Sequence, residues 1–256
     1  MLDVRGLTKK YRNRAVVDHV TFTVPPGQVT GYLGPNGSGK STTVKMLAGL
    51  LQPTSGQILW DGGDIRHDLI GFKRRLGYVP EEAFVYPHLT GLEYLQLVGR
   101  LRQLPERLVE RKAGELLRLL WLHEHRYTPI SAYSKGMKQR VLIASALLHD
   151  PDVLILDEPL SGLDITSALL LHELIAELAR QGKTILYISH VLEVTEKVCA
   201  RVIMLYRGKV VANDEVGRLR DLMHLPSLEE IFRQLAKEED VSATARQIAA
   251  VIREAV

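Results

Sequence analysis

The chain has 256 residues, 46% hydrophobic and 25% charged, with a formal net charge of +3 at pH 7, which is ordinary globular composition for one large domain with room for a subdomain. Lys and Arg are frequent between Arg5 and Arg14 and around Lys73 to Arg75, but acids lie between them along the chain, so no direct nucleic-acid binding is expected. The single cysteine, Cys199, cannot close an intramolecular disulfide and has no CxxC neighbour, which argues against an oxidising compartment and a zinc site and favours a reduced cytosol.

In chain order, Met1-Leu2-Asp3-Val4-Arg5 lacks the apolar core of a signal peptide, and no later run approaches the ~20 apolar residues needed to cross a bilayer. Any membrane-spanning part is therefore expected from another polypeptide. Residues 17–24 alternate apolar and polar as a half-buried strand does, and 28–33 form a short apolar run stopped by Gly34 and Pro35. After a glycine-rich loop, 41–51 place Val44, Leu47 and Ala48 on one helical face. The pattern from 90 to 122 is helical and breaks at Pro105. Residues 153–156 and 184–188 read as buried parallel strands flanking a helix over 165–179. Helices are also expected over 227–235 and 242–253, separated by the acidic run Glu238-Glu239-Asp240. Strands alternating with helices predict an α/β core with a mostly parallel sheet.

The loop Gly34-Pro35-Asn36-Gly37-Ser38-Gly39-Lys40-Ser41-Thr42 fits the phosphate-binding pattern, and its place between a strand and a helix is the context that pattern requires. Its glycines let backbone N–H groups converge on an anion, and the next helix points its positive end there. Lys40 should reach β- and γ-phosphates, and the Ser41 hydroxyl should coordinate Mg²⁺. Four apolar residues then lead into Asp157 and Glu158, which places both carboxylates where a buried strand emerges. Asp157 fits the acid that holds the Mg²⁺ hydration shell, and Glu158 can polarise a water for in-line attack on a γ-phosphate.

With these motifs in order, the chain resembles the ABC (ATP-binding cassette) ATPases over nearly its whole length. The segment Tyr133-Ser134-Lys135-Gly136-Met137-Lys138-Gln139-Arg140 looks like that family's LSGGQ signature, with Ser134 as the N-cap of a helix to about Leu148. Ser161-Gly162-Leu163-Asp164 resembles the D-loop, Ile188-Ser189-His190 the histidine loop, and Tyr11 the aromatic position that stacks on adenine. At Gly77-Tyr78-Val79-Pro80-Glu81 the family usually has Gln where Glu81 stands; the carboxylate can still reach Mg²⁺ but adds negative charge beside the phosphates. In the signature, Lys135 and Met137 replace Gly and Gln.

The resemblance implies a P-loop core with an N-terminal antiparallel β subdomain and an inserted helical subdomain. It implies a nucleotide-binding domain over 1–220, with the helical insert at about 82–148, and a C-terminal helical extension over 221–256. It further implies an Mg²⁺-dependent ATPase that works as a homodimer or pseudo-dimer of cassettes. Each ATP is held by one subunit and closed in trans by Ser134, Lys135, Gly136 and Asp164 of the other. Glu158, His190 and Lys40 are the catalytic candidates, and Ser41, Glu81 and Asp157 the metal candidates. The implied setting is the cytoplasmic face of a membrane, beside a separate transmembrane permease. The segment from Tyr78 to Glu82 and the Tyr-Ser-Lys-Gly-Met signature look more like export than import cassettes. The alternative, an ABC ATPase acting on ribosomes or nucleic acid, usually carries tandem cassettes or a long coiled coil, and this chain shows one cassette and no extended heptad run.

Overall fold

The computed structural model describes residues 1–82, 85–223, 225, 227–236, 246 and 252. Strands β1 (Leu2–Tyr11), β2 (Arg14–Val24), β4 (Ser55–Trp60) and β5 (Gly63–Asp64) form an antiparallel sheet in the order β2-β1-β4-β5. Strands β3 (Val29–Leu33), β6 (Leu76–Val79), β7 (Val153–Asp157), β8 (Thr184–Ser189), β9 (Arg201–Tyr206) and β10 (Lys209–Glu215) form the second sheet, ordered β10-β9-β3-β8-β7-β6. Every neighbouring pair in it is parallel except β9 and β10.

The parallel sheet is covered on both faces, which is why β3, β7 and β8 are mainly apolar with every residue buried. Period-two alternation sends Tyr32, Ile155, Leu186 and Ile188 into one core, where they meet α1 (Lys40–Leu47) and the antiparallel sheet through Val44, Leu47, Leu2, Val4 and Phe22. Leu33, Leu154, Leu156, Ile185 and Tyr187 point the other way, into a core closed by α5 (Lys135–Leu147), α6 (Ile165–Arg180) and α9 (Leu228–Ala236). A third core joins α3 (Gly91–Leu101), α4 (Glu106–Leu119) and the outer face of α5 through Leu95, Ala113, Leu117, Ile130, Tyr133 and Val141; α2 (Leu69–Arg75) packs on the first core through Phe72, and α7 (Leu192–Val198) and α8 (Val216–Met223) pack on the second through Val194 and Leu219. The fold is thus the expected α/β architecture with an antiparallel sheet at its N-terminus and a helical insert.

Several elements differ from the expectation. Strand β1 is hidden from periodicity, because register shifts between Val4 and Leu7 and between Leu7 and Lys9 break its alternation. The first helix stops at Leu47 rather than 51, since Gly49 turns left-handed at φ 65° and the Leu50 amide reaches back to the Lys45 carbonyl at 2.8 Å. The break at Pro105 is real: α3 starts on a Thr90–Glu93 capping box and Pro105 caps α4. The helix expected over 227–235 is α9, whereas the acidic run 238–240 and, apart from Arg246 and Ile252, the helix expected over 242–253 lie outside the described residues.

Candidate active site

Strands β3, β8, β7 and β6 are consecutive parallel neighbours, so their C-terminal ends line one edge, the place where open α/β sheets bind ligands. Each end delivers a candidate residue: the phosphate loop leaves β3, Glu81 follows β6, Asp157 ends β7 with Glu158 after it, and His190 follows β8. Asn36, Gly37, Gly39, Lys40, Ser41 and Thr42 meet Val16, Glu81, Asp157, Glu158 and His190 around one cavity of about 230 Å³. Val16, on β2, was not foreseen; an apolar strand residue carries no chemical signal of such a position.

The loop is braced from behind. Gly39 caps α1 at φ 107°, and a Cβ there would lie 2.7 Å from the Val16 carbonyl oxygen, so only glycine fits. The Gly208 amide, in the turn between β9 and β10, donates to the Ser38 carbonyl at 2.9 Å. The Ser38 hydroxyl is buried with no hydrogen-bond partner, which fits an anion acceptor at this loop. Lys40 donates from Nζ to the carbonyls of Gly34 at 2.6 Å and Pro35 at 3.2 Å. Burial holds its ammonium pKa below the usual value, opposed by the charges of Glu158, Asp157 and Glu81.

Asp157 is buried, and its carboxyl is pushed up to about 7, first by burial and then by Glu81 and Glu158, with Lys40 and Lys45 opposing. Glu158 holds a left-handed backbone, φ 46°, uncommon outside glycine and a form of strain that gathers at functional sites. Its Oε1 accepts from the His190 amide at 2.8 Å and lies 2.6 Å from His190 Nδ1, and its Oε2 accepts from the Ser189 hydroxyl at 3.1 Å. The carboxylate is therefore aimed by the end of β8. In the sequence, Ser189 stands out only as a neighbour of His190.

The remaining candidates lie away from this cavity. Ser134 is exposed and caps α5, accepting from the Met137 amide at 3.2 Å. A Cβ on Gly136 would meet the Gly162 carbonyl oxygen at 2.5 Å, and buried Gln139 donates to the Pro159 carbonyl at 3.1 Å. The start of α5 is thus stitched to the loop that follows Glu158. Beside this junction the stem of exposed Lys135 packs over Gly162. Asp164 caps α6, its oxygens accepting from the Ser167 amide at 2.9 Å and hydroxyl at 2.7 Å. Tyr11 is 50% exposed near the β1–β2 turn, with the Lys9 ammonium 5.4 Å from its ring centre.

Among the described residues, no group of three or more His, Cys, Asp or Glu side chains is placed to hold a metal by itself. The oxygen set of Ser41, Asp157 and Glu81 on one cavity nevertheless fits Mg²⁺, which is usually bound by one or two carboxylates plus substrate phosphates.

A family model described as ABC transporter matches residues 17–161. The chain belongs to the ABC transporter family. It is an ATP-binding subunit of that family and an ATPase. Over 225 residues it is 38% identical to the ABC transporter ATP-binding protein NatA of Bacillus subtilis, covering 88% of this chain and 91% of that protein. It is 37% identical over 219 residues to the Nod factor export ATP-binding protein I of Ralstonia nicotianae, covering 86% of this chain and 68% of that one. A solved ATP-binding subunit of an ABC transporter superposes with a TM-score of 0.86 at 34% identity, over 92% of this chain and 99% of the other. A dimeric, post-hydrolysis ATP-binding cassette, MJ0796 bound to ADP and Pi, gives a TM-score of 0.78 at 26% identity, over 84% and 98%. Among the described residues, no helix of this ABC subunit is long and apolar enough to cross a membrane.

Proposed function

We propose that two copies of this chain, or one copy and a related cassette, close around Mg-ATP and reopen on hydrolysis, driving transport through a separate membrane permease on whose cytoplasmic face they sit. The observation that carries this reading is the division of the site. The phosphate loop, three carboxylates and His190 share one cavity, while Ser134 stands exposed at the capped start of α5, outside it. A second chain is the natural source of the missing side. The dimer reported for the MJ0796 cassette supports the same arrangement.

In this mechanism the amides of the loop at 34–42 and the Lys40 ammonium bind the β- and γ-phosphates, and Tyr11 stacks on adenine. Ser41, Asp157 and Glu81 would hold Mg²⁺, which when bound offsets charge on the phosphate oxygens. Glu158, fixed by Ser189 and His190, keeps one lone pair free on Oε2 to accept a water proton and orient that water in line with the γ-phosphate. The partner's capped helix, through Ser134, Lys135 and Gly136, grips the γ-phosphate from the far side, with Asp164 near the junction. Cleavage removes the group both chains share, so the closed state loses its differential stabilisation.

The nucleotide-binding domain spans 1–220 in this reading, the helices within 82–148 meet the permease, and 221–256 form an extension. Export is the favoured direction, supported by the Tyr78-to-Glu82 segment and by the similarity to a Nod factor export subunit. Glu158→Gln is the direct test. It should retain nucleotide affinity, lose at least ~100-fold in turnover and accumulate as an ATP-dependent dimer in size-exclusion chromatography; near-normal hydrolysis would remove Glu158 from its role.

A further inference from the structure

The end of β1 is stitched to the loop that follows α1. The Lys9 ammonium donates to the Gln52 carbonyl at 2.7 Å, the Lys10 amide to the Thr54 hydroxyl at 3.0 Å, and the Thr54 amide to the Thr8 carbonyl at 2.8 Å. On its other side, β1 pairs with β2 in a register that steps from Lys9 opposite Val17 to Lys10 opposite Ala15. Val16 is thus the extra residue of a bulge, and it lines the phosphate cavity, so this end of β1 borders that cavity. Lys9 and Tyr11 are two residues apart on the strand and leave it on the same face. The tethered ammonium stands 5.4 Å from the centre of the Tyr11 ring, within cation–π range. Half of Tyr11 remains exposed, so the ring is covered from one side and open to a ligand on the other.

We propose that Lys9 is a positioning residue for the nucleobase: anchored on the Gln52 carbonyl, it holds the Tyr11 ring from one face and leaves the opposite face set for adenine to stack on. The inference rests on the nucleotide-site reading above, in which Tyr11 takes the base, and adds the group that orients it. An exposed tyrosine otherwise samples several rotamers, and a ring ordered beforehand loses less freedom when the base arrives. Lys9 therefore acts on affinity and not on the cleavage step, whose groups are gathered in the phosphate cavity.

The test is calorimetric titration in excess Mg²⁺ with a non-hydrolysable ATP analogue and with tripolyphosphate, which has no base, alongside steady-state hydrolysis of ATP. Lys9→Met keeps an unbranched stem and removes the charge. It should weaken the analogue and raise KM for ATP about three- to fivefold, with kcat and tripolyphosphate affinity within about twofold of wild type. Lys9→Arg, whose guanidinium can still reach a carbonyl and lie on an aromatic face, should restore affinity. Tyr11→Leu should cost about tenfold in affinity for the analogue, and adding Lys9→Met to it should cost nothing further. Unchanged or tighter binding by Lys9→Met would overturn the inference. So would a loss shared by tripolyphosphate, a loss that Lys9→Arg does not repair, or the same loss in the Tyr11→Leu background. A Tyr11→Leu variant that binds the analogue like wild type would instead strike the placement of adenine on Tyr11, and this inference with it.

Discussion

At the scale of single residues, the notable group is the Glu158 carboxylate, held on both oxygens by the end of β8. Ser189 is buried, and its oxygen also accepts from the Val191 amide at 3.1 Å, so the hydroxyl is fixed as a donor toward Glu158. Removing it leaves the carboxylate freer to turn without touching the phosphate cradle. Ser189→Ala should therefore lower kcat about tenfold, the scale of a hydrogen bond to a charged group, with KM within about twofold, and Ser189→Thr should restore turnover. A fall in affinity that Thr does not rescue would mean that Ser189 serves only the fold. Asp157, Glu158 and His190 were legible because each sits where a buried apolar run ends. Which hydroxyl meets which carboxylate oxygen depends on the register of β7 against β8, where Asp157 pairs with Ile188, and local sequence does not encode that. The predicted positions of Tyr11, Ser134, Lys135, Gly136 and Asp164 likewise come from motif order, and within one chain they do not meet the cavity.

At the scale of elements, the helix ends decide what a substitution does. Ser134 caps α5, so Ser134→Ala confounds stability with function, costing about 1 kcal/mol from the cap alone. Ser134→Asp separates the two, because aspartate caps as well as serine but presents a carboxylate to the partner's phosphates. It should melt within a few degrees of wild type and fail to dimerise on ATP; dimerisation at wild-type nucleotide concentrations would place Ser134 away from the interface. The strands β7 and β8 were readable because burial on both faces fills their middles with apolar residues and leaves polar ones only at their ends. Strand β1 was hidden by its bulges, and β6 by its length of four residues. The early stop of α1 was marked by Gly49, but whether a glycine interrupts or ends a helix depends on what surrounds it, here the Leu69 side chain, 2.6 Å from where a Cβ would sit.

For the whole molecule, the proposed arrangement predicts complementation. A Lys40→Ala subunit has a damaged cradle and an intact Ser134, and a Ser134→Asp subunit has the reverse. Each alone should be nearly inactive, whereas their mixed dimers hold one complete site, so hydrolysis should rise on mixing; activity that never recovers at any ratio would refute shared sites. The stitching of Gly136 and Gln139 to the 159–162 loop means that the start of α5 and the segment following Glu158 belong to one packed unit.

The brace behind the phosphate loop has a different consequence. Ser38 is tied to Gly208, and Gly39 is pressed against Val16, so the shape of the anion pocket is underwritten by a hairpin late in the chain and a strand near its beginning, neither of which bears a recognisable motif. Genetic changes that blunt affinity for nucleotide therefore need not cluster near residues 34–42, and a variant at the hairpin could masquerade as a lesion of the loop itself.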